Sequence, residues 1–438
     1  MPTQTARQKI SCRPPPLTPL EQEIARRIHK ALPAYCRKTK RTKHTKDQIT
    51  KAAEELLKPY TKKSAVRTDL IQNTLIDHIF GWGKLEPLRL DTDIEDISCT
   101  GWEHPVYIYH RKHRDCETDI RFESETELDT FVTLFAQRAG KQISNANPII
   151  DASLEDGSRI QLTYGRTVSP NGSGFTIRKF KNTPYSVIDL IKNRTFTIDE
   201  MVYLWFAIEY NRSILIIGET ASGKTTTLNA LTQFIPELAK IVTIEDTREL
   251  MLDRENWQAS VVPPENGKNT ITLFDLVTAA MRQRPEYLIV GEVRGKETAA
   301  MFQAINTGHT SLSTFHAGNL QSAVNRLESP PLSISKAMID SLDIVIVQKR
   351  TAKNGTPVRR CSAILEVCGG RNHEVFTYRK ETDDAETKKS ILENEIREES
   401  GLSREAFAAE KNRRRHLLKQ LLDAEISGFR AVTEALNP

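Results

Sequence analysis

The period of the hydrophobic positions changes near residue 90, and that change divides the chain. Residues 20 to about 31, 47–57 and 70–80 read as helices, with Pro14-Pro15-Pro16 before the first, Pro59 after the second and Gly81-Trp82-Gly83 after the third. Residues 94–99 and 105–110 look like strands, while 158–163 and 174–179 alternate with period two, as half-buried strands do. Ser124 with Glu127 three residues on reads as a capping box. It opens a helix to about Ala139, with Leu128, Phe131, Leu134 and Phe135 at core spacing. The pattern predicts a basic helical extension over 1–67, one α+β domain over 68–180 and a linker over 181–197.

Beyond the linker, strands and helices alternate. A helix over 198–210 precedes the apolar run Ser213-Ile214-Leu215-Ile216-Ile217, and alternation continues through 240–245, 273–282, 287–290, 298–306, 310–314, 320–327 and 344–348. Such alternation specifies an α/β fold with a mainly parallel sheet flanked by helices, here over 198–438. A helical tail is expected from about 385. Its stripe of Leu417, Leu418, Leu421, Leu422, Ile426, Phe429, Val432 and Leu436 reads as a docking face or core.

The stretch Gly218-Glu219-Thr220-Ala221-Ser222-Gly223-Lys224-Thr225-Thr226 lies between a predicted strand and a predicted helix, the context a P-loop requires. Gly218 and Gly223 are expected to take positive φ and let the backbone wrap an anion. Loop N–H groups and the helix N-terminus then aim positive partial charge at a β-phosphate. Lys224 would reach the β- and γ-phosphates, and the Thr225 hydroxyl would be a ligand of Mg²⁺. ATP and Mg²⁺ are the implied cofactors. A GTP specificity lacks support, because no Asn-Lys-x-Asp motif occurs.

Hydrolysis needs carboxylates downstream. Glu245 and Asp246 end one predicted strand, where an acid sits over the crevice of a parallel sheet. Glu292, in Tyr287-Leu288-Ile289-Val290-Gly291-Glu292, ends another. It suits activation of the attacking water, with Gly291 standing where many P-loop enzymes carry Asp. His309 and His316 bracket a small-residue strand and are expected to touch the γ-phosphate. Arg138, Arg159 and Arg178 in the first domain are candidates to neutralise charge on that phosphate. Arg248, Arg282, Arg284 and Arg294 are weaker ones.

Charge is uneven. Residues 1–67 hold 17 Lys/Arg against 5 Asp/Glu, a net of +12, and the remainder nets −7. The densest basic run, 37–46, suits an anionic membrane surface or nucleic acid. No aromatic cluster accompanies it, which weighs against nucleic acid. Cys12, Cys36, Cys99, Cys116, Cys361 and Cys368 form no Cys-x-x-Cys pair, which argues against a zinc site or a disulfide scaffold. No apolar run approaches the roughly 18 residues of a membrane span, and the first residues lack a signal-peptide pattern, so the expected compartment is the cytoplasm.

Four motifs in order carry a family resemblance. The P-loop through Asn229, Ile244-Glu245-Asp246-Thr247-Arg248-Glu249, Val290-Gly291-Glu292-Val293-Arg294-Gly295 and Gly308-His309-Thr310-Ser311-Leu312-Ser313-Thr314-Phe315-His316-Ala317 resemble the Walker A, Asp box, atypical Walker B and His box of the secretion ATPase superfamily. That superfamily serves type II and type IV secretion and type IV pili. Asp156-Gly157-Ser158-Arg159 and Phe175-Thr176-Ile177-Arg178-Lys179-Phe180 resemble the end of its N-terminal domain. Thr220-Ala221-Ser222-Gly223 and the tail with Arg413-Arg414-Arg415 look most like the archaeal pilus and archaellum branch. The resemblance implies a RecA-like core, a mobile N-terminal domain and a homohexamer on the inner face of the membrane. It further implies that ATP hydrolysis drives filament assembly or secretion through a polytopic membrane partner. The four-cysteine zinc insertion of bacterial members is absent, and 1–67 match no family motif. The competing expectations are a nucleic-acid-translocating P-loop ATPase and a nucleotide-gated scaffold without turnover.

Overall fold

The computed structural model describes residues 9–10, 17–37, 46–61, 66–180, 184–263, 271–353, 356–368 and 371–436. Most of the basic run, 38–45, lies outside the described residues, as does part of the expected hinge, 181–183. Two compact units divide the chain, Met1–Lys181 and Asn182–Pro438.

The first unit begins with three helices, Pro19–Arg37, Lys46–Leu57 and Thr68–Ile79. Ile24, Ile28 and Leu32 of the first repeat every four residues, so they form one stripe that packs against Ala53, Leu57, Ile71 and Leu75. The expected boundary at 67/68 falls inside this cluster. Arg67 donates to both carboxylate oxygens of the buried Glu21, tying the start of the third helix to the first.

A seven-stranded sheet follows, in the order Lys9–Ile10, Arg114–Arg121, Pro105–His110, Ile94–Cys99, Gly174–Arg178, Arg159–Thr163, Ile149–Ser153. The helix Glu125–Arg138 covers it through Leu128, Val132, Phe135 and Ala136. Ser124 caps that helix by accepting from Glu127 N. The capping box is only half formed: the Glu127 carboxylate accepts from Glu123 N and pairs with Lys84 instead.

In the second unit nine strands run in the order Trp257–Val261, Ile241–Glu245, Tyr287–Val293, Thr310–His316, Ile214–Gly218, Ile344–Lys353, Thr356–Cys368, Arg371–Arg379, Asp384–Thr387. The first six are parallel and the last three join antiparallel. Ile214 and Ile216 enter the core on one face while Leu215 and Ile217 enter the core on the other. Burial on both faces is why this strand reads as an unbroken apolar run.

Residues 187–192, inside the stretch expected as a linker, form a capped helix whose Val187, Ile188 and Leu190 belong to the first of these cores. The tail helices Leu392–Glu399, Arg404–Asp423 and Phe429–Leu436 join the same core through Leu418, Leu421, Val432 and Leu436. Half of the expected apolar stripe is therefore core, with Leu417 and Leu422 packed at its edge and Ile426 exposed. Arg414 lies 3.8 Å from the Phe206 ring centroid and pairs with Glu209, while Arg415 pairs with Asp199.

Glu366 clasps the tail to the sheet. It is fully buried and accepts from Tyr203 Oη at 3.0 Å, Ser390 Oγ, Ile391 N at 2.9 Å and Leu392 N at 3.3 Å. Glu366→Ala removes the acceptor these four donors share, which costs on the order of 3 kcal/mol. We expect a lower denaturation midpoint and cleavage of the segment after 390 ahead of the rest in limited proteolysis. An unchanged midpoint and cleavage pattern would remove this clasp from the account of the tail.

Candidate functional site

Strand Ile214–Gly218 ends at the carboxyl edge of the sheet, and five residues separate it from the helix Lys224–Leu231. The two glycines of the turn have different jobs. Gly223 is left-handed, with φ +97°, as expected, and caps the helix. Gly218 is not left-handed; it is needed because a Cβ there would stand 2.5 Å from Ser222 Oγ and 2.6 Å from Gln348 O. The second left-handed residue is Ala221, at φ +61°.

Around the loop, Ser222 is buried and its N–H reaches Glu219 O at 3.3 Å. Lys224 Nζ donates to Glu219 O at 3.1 Å. Burial lowers the Lys224 pKa, and the carboxylate of Glu292 opposes that shift. Thr225 and Thr226 lie half-buried in the first turn of the helix.

Two flanking strands bring further groups to the loop. His316 pairs in register with Gly218, and its Nε2 lies 3.1 Å from Thr220 Oγ1. Gln348 pairs with Gly218 from the other side and donates from Nε2 to Thr227 Oγ1 at 2.5 Å. His309 is not brought to the loop. It precedes the opposite end of the strand Thr310–His316, roughly 20 Å away at ~3.3 Å per residue, with Nδ1 beside Thr307 Oγ1. The expectation that both histidines meet one phosphate is corrected for His309, because the strand between them runs the full depth of the sheet.

The three acids separate by environment. Glu292 is exposed at a strand end and is the acid coupled to Lys224. Glu245 is buried and turned onto its own loop, with Oε1 accepting from Glu249 N at 2.9 Å and Leu250 N at 3.0 Å. Its Oε2 is buried without a partner. Burial pushes its pKa up to about 7. Asp246 is exposed and paired with Arg294. A Cβ at 291 would meet Glu245 Cγ at 3.1 Å, so any larger residue there requires the Glu245 side chain to shift.

The arginines expected at the phosphate lie in the first unit. Arg138 is half-buried and donates to the carbonyls of Gly81 and Ile79. Arg159 and Arg178 are cross-strand neighbours in the antiparallel sheet, and Arg178 acts electrostatically on Asp96. Arg248 lies over the Trp257 ring.

Sequence reasoning passed over Arg359. Its Nε donates to Ala221 O at 3.1 Å, and its Cδ would be 3.1 Å from a Cβ on Gly223. The signal that leads to it is Asn354-Gly355, the strongest short hairpin signature, which implies a returning strand through 359.

Among the described residues, no cluster of three or more His, Cys, Asp or Glu side chains could hold a metal alone, and no helix is long and apolar enough to cross a membrane. Mg²⁺ commonly relies on one or two protein groups plus substrate phosphates, so the Thr225 hydroxyl in the first turn of the helix fits that ion.

The family described as Type II/IV secretion system protein matches residues 102–432. An uncharacterized protein of Methanocaldococcus jannaschii is 42% identical over 312 residues, which cover 71% of this chain and 55% of that protein. The chain thus spans about half of that relative's length. The type IV secretion system protein PtlH of Bordetella pertussis is 30% identical over 264 residues, 52% of this chain and 78% of PtlH. The X-ray structure of the Yersinia pseudotuberculosis ATPase DotB matches with a TM-score of 0.50 at 17% identity, covering 83% of this chain and 92% of that one. At that identity the likeness concerns the fold alone.

Glu245 makes stability depend on pH. Folding raises its pKa from 4.5 to about 7, so the unfolded chain ionises first, and its contribution is lost as pH rises between those values. Glu245→Gln keeps an acceptor for Glu249 N and Leu250 N without the charge. We expect it to raise the unfolding free energy at pH 8 by up to about 3 kcal/mol, and to change it little at pH 4.5. The same shift at both pH values would overturn the burial argument.

Proposed function

Because the chain belongs to the Type II/IV secretion system protein family, we propose that it is a Mg²⁺-dependent ATPase whose turnover drives secretion or the assembly of type IV pilus-like or archaellum-like filaments. The observation that carries the reading is the convergence on one loop of Lys224, its coupled acid Glu292, and His316 bonded to Thr220.

In this reading the loop N–H groups and the helix start hold the β-phosphate. Lys224 exchanges the Glu219 carbonyl for the β- and γ-phosphates, and the anion restores the ammonium that burial disfavours. The Thr225 hydroxyl would hold Mg²⁺, which when bound would supply charge neutralisation at the phosphate oxygens. Glu292 accepts a proton from water as the water oxygen bonds to the γ-phosphorus and the bond to the β-phosphate oxygen breaks, giving ADP and phosphate. Glu245, fixed on backbone N–H groups, shapes the strand end beside Glu292. Asp246 enters as a lesser candidate through its pair with Arg294.

The finer assignments belong to the same proposal. They are a RecA-like core, a homohexamer, a cytoplasmic site at the inner membrane face and a polytopic membrane partner. Relatives in Methanocaldococcus jannaschii support the archaeal branch.

The test is phosphate release by the full chain, alone, with anionic liposomes and with DNA. We expect Mg²⁺-dependent turnover that liposomes raise. Lys224→Ala should lose nucleotide binding. Glu292→Gln should bind ATP yet turn over at least about 10²-fold more slowly, the scale of a lost general base. Stimulation by DNA alone would favour nucleic-acid translocation, and ATP binding without turnover in any arm would favour a nucleotide-gated scaffold.

A further inference from the structure

The strand that ends in the loop has neighbours on both sides, and they differ in chemistry. On one side stand Thr310–His316 and, beyond it, Tyr287–Val293, which carry His316 and Glu292. On the other side stand Ile344–Lys353 and then Thr356–Cys368, where Arg359 lies opposite Arg350. Arg359 therefore approaches the loop from the side away from the hydrolytic groups.

Its guanidinium is only partly engaged. Nε donates to Ala221 O, and the side chain passes over Gly223, the cap of the helix. The two terminal nitrogens have no hydrogen-bond or ion-pair partner among the described residues. An arginine fork presented beside a helix N-terminus suits a phosphate, since charge-assisted bonds to phosphate are strong and directional. A triphosphate whose γ end faces Glu292 and His316 extends its α end toward the opposite side.

Resting on the ATPase reading above, we infer that Arg359 is a nucleotide-binding residue that grips the α,β-diphosphate portion common to ATP and ADP. Nε holds the loop carbonyl, and the terminal nitrogens donate to phosphate oxygens. It sets affinity for substrate and product alike and takes no part in activating water.

The experiment titrates the full chain with ADP and with ATP·Mg²⁺ by calorimetry, comparing wild type, Arg359→Gln and Arg359→Lys, with steady-state kinetics and a salt series. Glutamine can still donate to Ala221 O but carries no charge, so a purely bracing role would leave Arg359→Gln like wild type. We expect Arg359→Gln to weaken ADP and ATP equally, about tenfold or 1.4 kcal/mol, with KM rising more than kcat falls. Arg359→Lys should recover part of the loss. Affinity of the wild type should fall more steeply with salt than that of Arg359→Gln. An Arg359→Gln protein that binds ADP as tightly as wild type overturns the inference, as does one that loses kcat with affinity intact. A wild type that binds neither nucleotide overturns the ATPase reading itself, a result separable from the first two.

Discussion

The backbone at Gly218 passes its neighbours so closely that a side chain has no place, with Ser222 Oγ and Gln348 O both within 2.6 Å of where a Cβ would stand. That closeness follows from the strand's position in the sheet, hydrogen-bonded on both flanks and buried on both faces. A chain leaving such a slot must turn sharply to start a helix, and it does so through left-handed residues at Ala221 and Gly223. Alanine in that region costs on the order of 1 kcal/mol. The bond from Arg359 to the Ala221 carbonyl is one contact that holds it there. The register that pairs Gly218 with His316 and with Gln348 then fixes which side chains stand at the loop.

The same crowding sorts the acids. Glu245 lies under Gly291 and is desolvated, so its charge is unfavourable near neutral pH despite two backbone donors. Glu292, on the neighbouring strand, stays in solvent and lies near a lysine whose ammonium burial disfavours. One carboxyl is thus a fixed structural wedge, and the other retains the exposure and the cationic neighbour that proton transfer requires. The glycine at 291 belongs to this division, since a larger residue would press on the wedge.

Much of this was legible in the chain because it depends on local pattern. The loop between an apolar run and a helix, the acids at strand ends and the alternation of elements are all statements about neighbours in sequence. What escaped was set by distance across the fold. Glu245 and Glu292 look alike in sequence, and only burial separates them. His309 and His316 bracket one strand, and the strand's length puts them at opposite edges. The strands Thr356–Cys368 and Arg371–Arg379 interrupt their apolar residues with Arg, Ser and Glu, so period-two reasoning did not find them, and Arg359 went with them. Residues 187–192 read as a linker through their neighbours Thr183-Pro184, although Val187, Ile188 and Leu190 are core.

The two sides of the loop also constrain any cycle that converts nucleotide energy into motion. A ligand shifts a conformational equilibrium only by its differential affinity for the two states. Contacts to the α- and β-phosphates are made by ATP and ADP alike, so in the proposed cycle Arg359 cannot tell one from the other. The distinction must come from groups that meet the γ-phosphate, and the ones this unit offers, His316 and Glu292, sit on adjacent parallel strands. Behind them, Thr314 Oγ1 donates to Gly291 O and Ser313 Oγ donates to Val290 O, binding those two strands by side chains as well as by the ladder. In the proposed cycle, those bonds are the route by which a displacement of His316 would reach Glu292. The strands Tyr287–Val293 and Thr310–His316 are the elements through which hydrolysis would be read out, while the opposite flank keeps hold of the nucleotide.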